Sequence, residues 1–198
     1  MTPLKEIVPA DIRDLYEVHE WRHAAAILNN DFPNEWDDIK NALRGFRLRR
    51  SEMLEGGGRK SKIASSLDSA FYERGWIEKQ FQTAVIVDAD RHESPTHKVD
   101  CVKSRVALEV EWSNKDPFFD RDLNNFRLLF DLRAISVGVI ITKSDELRTV
   151  MTELNIWEKY GSSTTWMQKL LPRIEGGGGG GCPILVFGIT TKVYDPTR

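Results

Sequence analysis

Hydrophobic and polar positions alternate most cleanly in the middle of the chain. Over residues 105–112, Val106, Leu108 and Val110 project to one side and Ala107, Glu109 and Glu111 to the other, because consecutive strand side chains point to opposite faces. A shorter extended segment, starting at His97, ends at Asp100, and a turn joins the two. Downstream, Leu123, Phe126, Leu129, Phe130 and Arg133 recur at helical spacing and predict a helix over residues 119–134. Asp120, Asp122 and Asn124 read as helix-start residues in its first turn. Residues 136–143 are nearly all apolar, as a strand covered on both faces requires. Strand, helix and strand in this order predict a right-handed crossover between parallel strands.

The flanking regions are less regular. Ile12, Leu15, Tyr16, His19, His23, Ala26 and Ile27 predict a helix over residues 12–29, and a second helix follows Pro33 over residues 34–43. His19 and His23 would sit one turn apart, but their flanks read as an amphipathic face rather than a metal-ligand pair. A helix is predicted from Ser61 or Ser66 to Arg74, stopped by Gly75. Residues 81–88 predict a strand and 89–96 a polar loop. Residues 145–154 predict a short helix. Ser162, Ser163, Thr164 and Thr165 predict the cap of another, beginning near Thr165. Glycines 176–181 predict a flexible loop, and residues 183–190 a last apolar strand. No internal repeat is visible.

Composition narrows the class. The 198 residues are 40% hydrophobic, enough for one core. Lysine and arginine total 28 against 30 aspartate and glutamate, a net charge of −2. That excludes a generic polyanion binder but leaves room for a local basic groove. Its best candidate is the glycine-rich stretch over residues 46–62, with Arg59, Lys60 and Lys62 at its end. Two readings of it stay open, a solvated linker or an arm that meets a DNA backbone. Its three glycines lack the G-K-[ST] of a phosphate-binding loop. Cys101 and Cys182 have no metal-ligand spacing and read as buried thiols. With no apolar leader and no transmembrane run, the expected location is cytoplasmic.

The chemistry concentrates in the alternating segment. Two carboxylates on an otherwise apolar strand cost several kcal/mol to bury without positive partners. A turn that brings Asp100 beside Glu109 supplies a third. Three oxygen donors suit a hard cation such as Mg2+, as in a metal-dependent phosphodiesterase. The pattern Asp100, eight residues, Glu109, one residue, Glu111 is weak by itself, since a solvated acidic edge reads the same way.

The order of elements, together with DCVKSRVALEVEWSNKDPFFDRDLNNFRLLFDLRAISVGVIITKSDEL, GRKSKIASSLDSAFYERGW and CPILVFGIT, resembles the BglII/BstYI (BamHI-like) group of type II restriction endonucleases within the PD-(D/E)xK superfamily. The resemblance spans residues 56–190. It implies an α/β fold with a restriction-endonuclease-like core, a central mixed sheet flanked by helices. It implies one nuclease domain over 1–198, with an N-terminal helical part at about 10–45 and a basic arm at about 47–62. Asp100 and Glu109 match the metal-binding acids, and the Val110 carbonyl a further ligand. Glu111 stands where the superfamily has lysine and BglII-like enzymes have glutamine. It would act as metal ligand or general base. A further acid or amide from an upstream helix is implied, with Glu73 and Glu78 as candidates. Implied as well are a homodimer built in part on the helix over 120–134, a palindromic double-stranded DNA target containing GATC, 5′-phosphate products and a companion methyltransferase. Asn114, Lys115, Ser162, Ser163, Thr164 and Thr165 are the candidate base readers. The alternatives are a structure-specific repair or recombination nuclease and a non-catalytic DNA-binding module of the same fold.

Overall fold

The computed structural model describes residues 3–55 and 61–197. The chain opens with α1 (Leu4–Ile7), α2 (Ala10–Leu15), β1 (Tyr16–Trp21), α3 (Ala24–Asp31), α4 (Pro33–Gly45), β2 (Leu48–Arg49) and α5 (Arg50–Leu54). Next come α6 (Lys62–Tyr72), β3 (Ile77–Gln80), β4 (Ala84–Val87), β5 (Asp90–Glu93), β6 (Lys98–Lys103) and β7 (Val106–Glu111). The crossover follows as α7 (Pro117–Asp131) and β8 (Val137–Lys143). The chain closes with α8 (Leu147–Glu153), α9 (Met167–Glu175), β9 (Ile184–Ile189) and β10 (Tyr194–Asp195).

The described residues form a mixed six-stranded sheet in the order β1-β9-β8-β7-β6-β3. β7, β8 and β9 are parallel, while β1, β6 and β3 run antiparallel to their neighbours. The alternation in β7 divides two cores. Val106, Leu108 and Val110 join Cys101, Leu67, Phe71 and the N-terminal helices on one face. Ala107 joins Phe119, Leu123, Phe126, Leu129, Leu170 and Ile174, from α7 and α9, on the other. All seven residues of β8 are buried, as its apolar run predicts. Helices thus cover both faces, the layering that a largely parallel sheet needs.

Gly138 in β8 is the closest approach in this packing. A Cβ there would lie 2.4 Å from the Phe126 ring of α7. Gly138→Ala is expected to destabilise the fold by roughly 1–3 kcal/mol, measured by chemical denaturation. An unchanged unfolding midpoint would show that α7 can shift without cost.

Several sequence expectations need correction. Residues 16–21 are a strand and not part of a helix. Paired antiparallel to β9, β1 makes an edge of the central sheet within the N-terminal helical part. YEVHEW satisfies both periods, and long-range pairing decides between them. His19 and His23 do not share a helical face, since His19 lies on β1 and meets Glu17 at 2.8 Å while His23 takes a left-handed turn at φ 59°. The apolar run Val85, Ile86 and Val87 is not a core strand. It forms a separate hairpin with β5, whose residues fall in the predicted polar loop, and its side chains are more than half exposed. β6 runs three residues past Asp100 before it turns. Ser162, Ser163, Thr164 and Thr165 do not cap α9. The Asp145 carboxylate does, accepting from Gln168 N at 2.8 Å.

Four of the six glycines, 178–181, would bring a Cβ within 4 Å of α7 side chains. A Cβ on Gly179 would lie 2.5 Å from Ile184 Cδ1, and one on Gly180, at φ 57°, 2.8 Å from Arg127 Cγ. At these positions the run serves close approach and a positive φ. Gly75 does stop α6, at φ 82°. Both cysteines are buried, and neither forms a disulfide among the described residues. Among the described residues, no helix is long and apolar enough to cross a membrane.

Candidate active site

The hairpin of β6 and β7 builds the site. Lys103 pairs with Val106 across a two-residue turn, and Ser104 takes the left-handed conformation at φ 51°. The turn is tied to α4. Ser104 Oγ donates to Glu35 Oε1 at 2.7 Å, and Lys103 Nζ to Asp38 Oδ2 at 2.7 Å. This register sets Asp100 opposite Glu109 on the face shared with Glu111. Two hydrogen bonds then lock the pair. Asp100 N donates to Glu109 Oε2 at 3.1 Å, and Val110 N to Asp100 Oδ2 at 3.0 Å.

Glu109 and Glu111 are almost wholly buried, at 0% and 1% exposure. The exposed acidic edge that their spacing also allows is therefore ruled out. A further carboxylate joins them from α7. Asp122, at 0% exposure, lies on the same buried helical face as Phe119, Phe126 and Leu129. The helix-start reading of Asp122 was wrong. Its signal was legible all the same, as an acid falling in register with an apolar stripe.

Arg121 is the cation of this cluster. Its Nε and Nη2 donate to Asp122 Oδ1 at 2.8 and 2.6 Å, and Nη2 reaches Glu111 Oε1 at 3.5 Å. The guanidinium lies 4.2 Å from the Phe118 ring centre. Asn114 Nδ2 donates to the same Glu111 oxygen at 3.0 Å. One arginine does not balance the acids. Glu109 Oε1, Glu111 Oε2 and Asp122 Oδ2 remain buried without a partner, as does Oγ1 of Thr142, which pairs in register with Glu111.

The electrostatics follow. Burial, then Asp122 and Asp100, pushes the Glu109 carboxyl well up from the ordinary 4.5. Burial and Asp122 likewise raise Glu111. Burial raises Asp122, with Arg121 opposing. Across the sheet, Lys143 is fully buried between the rings of Trp112 and Trp166, 5.3 and 5.0 Å away. It donates to the Trp112 carbonyl at the end of β7, and burial pushes it down to about 7.

Among the described residues, no three His, Cys, Asp or Glu side chains stand close enough to hold a metal ion as arranged here. The donor chemistry nonetheless fits a hard divalent cation, because every group is an oxygen and three buried carboxylate oxygens lack a partner. Asp100, Glu109 and the Val110 carbonyl are the groups that would hold one. Neither sequence candidate for a further acid belongs to the cluster. Glu73 caps the C-terminus of α6, and Glu78 pairs with Lys98 at 2.8 Å on the exposed edge. The buried acid of the upstream helix is Asp68, with Oδ1 3.9 Å from Cys101 Sγ.

The two candidate reading segments come together at the carboxyl end of β7. Lys115 bridges to Thr164, Thr165 N donates to Asn114 O at 3.0 Å, and Lys115 Nζ donates to Ser163 Oγ at 3.1 Å. Ser162, Ser163 and Lys115 are exposed. Thr164 and Thr165 are buried, and Thr164 Oγ1 donates to Tyr160 O at 2.9 Å. Burial removes both threonines from the set that can reach a base. Lys62 pairs with Glu55 at 2.5 Å and stays exposed. Arg59 and Lys60 lie outside the described residues.

A family model described as restriction endonuclease BglII/BglIII matches residues 16–189. The match begins with the first residue of β1 and ends with the last of β9. No curated protein matches the chain.

Proposed function

The chain belongs to the BglII/BglIII family of restriction endonucleases and is thus a site-specific deoxyribonuclease; from that premise we propose that it uses Mg2+ to hydrolyse double-stranded DNA at a short palindrome containing GATC. The products carry 5′-phosphate ends. The observation that carries this reading is the hairpin, where Asp100, Glu109 and Glu111 share a face and leave buried carboxylate oxygens unpartnered. Enzymes of this family typically use a divalent metal. When bound, the cation supplies a more acidic water and positive charge against the phosphate.

The chain's own groups do the rest. Asp100 and Glu109 hold each other in register through the two backbone bonds. Glu111 takes a proton from the attacking water only in its ionised form. Asn114, which donates to Glu111 Oε1, favours that form. Asn114, Lys115, Ser162 and Ser163 sit at the same end of the sheet, where a base edge lies beyond the scissile phosphate. Lys62, with Arg59 and Lys60, meets the DNA backbone.

A palindrome cut on both strands by one site per subunit calls for a twofold homodimer. Leu128 and Leu132, 37% and 55% exposed at the end of α7, support that helix as part of the interface. A methyltransferase of matching specificity accompanies the enzyme in its host.

The test is digestion of a long defined DNA with magnesium, followed by sequencing of the ends. Discrete fragments sharing one palindromic end with a 5′-phosphate are expected. Cleavage confined to junctions or flaps would instead identify a structure-specific nuclease.

A further inference from the structure

The acidic cluster belongs to the site already described, but the hydrolysis assigns no step to Arg121. Arg121 sits beside Asp122 on α7, with its guanidinium between Glu111 and Asp122 and its side chain 28% exposed. It makes three donor contacts, all to these two carboxylates. The same oxygens are crowded with negative charge, and further oxygens of the same groups have no partner at all. Glu111 shares its face with Asp100 and Glu109, so a guanidinium on Glu111 and a divalent cation on the neighbouring acids answer the same excess of negative charge and repel one another.

We propose that Arg121 is a built-in counter-cation, which holds Glu111 and Asp122 while no divalent ion is bound and gives way when one binds. The proposal rests on the reading of this site as the cation-binding centre. Phe118 supplies the resting place, since the guanidinium already lies over its ring at 4.2 Å. Asp122 is then the anchor that keeps Arg121 nearby.

Calcium alone, titrated into the full chain without DNA, tests this by calorimetry and thermal unfolding. In Arg121→Gln, calcium affinity is expected to tighten by on the order of tenfold, because a competing charge is gone. The same variant should melt lower than wild type in chelator and at wild-type temperature in saturating calcium. Glu109→Gln should lose calcium binding in either background.

Unchanged or weaker affinity in Arg121→Gln, with Glu109→Gln still abolishing binding, would overturn the counter-cation while leaving the site reading intact. Calcium binding indifferent to Glu109→Gln would overturn the site reading itself. Should Arg121→Gln fail to fold even in calcium, Arg121→Lys decides. It keeps the charge but loses the fork, so its calcium affinity should rise by several-fold. No rise there overturns the proposal.

Discussion

Replacing Glu109 by glutamine is expected to lower the rate of DNA cleavage by on the order of a thousandfold or more. The substitution is nearly isosteric, and the amide oxygen can still accept the Asp100 N–H that Glu109 Oε2 accepts now. The fold therefore has no reason to yield. What is lost is a full negative charge at a wholly buried position, where its effect on a bound cation is least screened. Asp100→Asn should behave alike, since its amide oxygen can keep the bond from Val110 N. The measurement is single-turnover cleavage beside DNA binding in calcium. Cleavage should vanish while binding persists. If either variant cuts at near wild-type rate, the acids are placed correctly in the fold but wrongly in the chemistry.

The second large effect is on stability, with pH and cation as the levers. Glu109 and Glu111 have folded-state values raised above the ordinary 4.5, by burial first and neighbouring carboxylates second. Above 4.5 the unfolded chain has released these protons while the native chain still holds them. The native state then binds more protons, and stability falls as pH rises. Each proton so retained costs about 1.4 kcal/mol per pH unit. In chelator, thermal unfolding should therefore move to lower temperature between pH 5 and pH 8. Saturating calcium should flatten the decline, because the ion takes over the charge that the protons neutralised; a hundredfold excess over its Kd adds about 2.7 kcal/mol. Glu109→Gln should flatten it too, and without calcium. A chelated protein equally stable across this range would show that the carboxylates are already compensated.

The crossover unit was legible because each of its elements is self-consistent. β7 alternates, the α7 segment repeats at helical spacing, and β8 is apolar throughout. Asp100, Glu109 and Glu111 could be picked out for the same reason, since alternation alone puts the two glutamates on one face. Segments compatible with two periods were not legible. Residues 16–21 fit a helix locally, and only β9 makes them a strand. Val85, Ile86 and Val87 are an apolar strand run, yet among the described residues they are left more than half exposed.

What the sequence determined by itself was the order of strands and helices in the nuclease core, and the face on which its acids lie. Both are consequences of side-chain period, a property of neighbours along the chain. The tertiary structure decided how much those acids cost and what offsets the cost. It buried Glu109 and Glu111, brought Asp122 from α7 against them, and set Arg121 as their cation. It also zipped residues 114–115 to 163–165 at the mouth of the site. Desolvation and charge pairing depend on distances through space between residues far apart in sequence, and no local pattern encodes them.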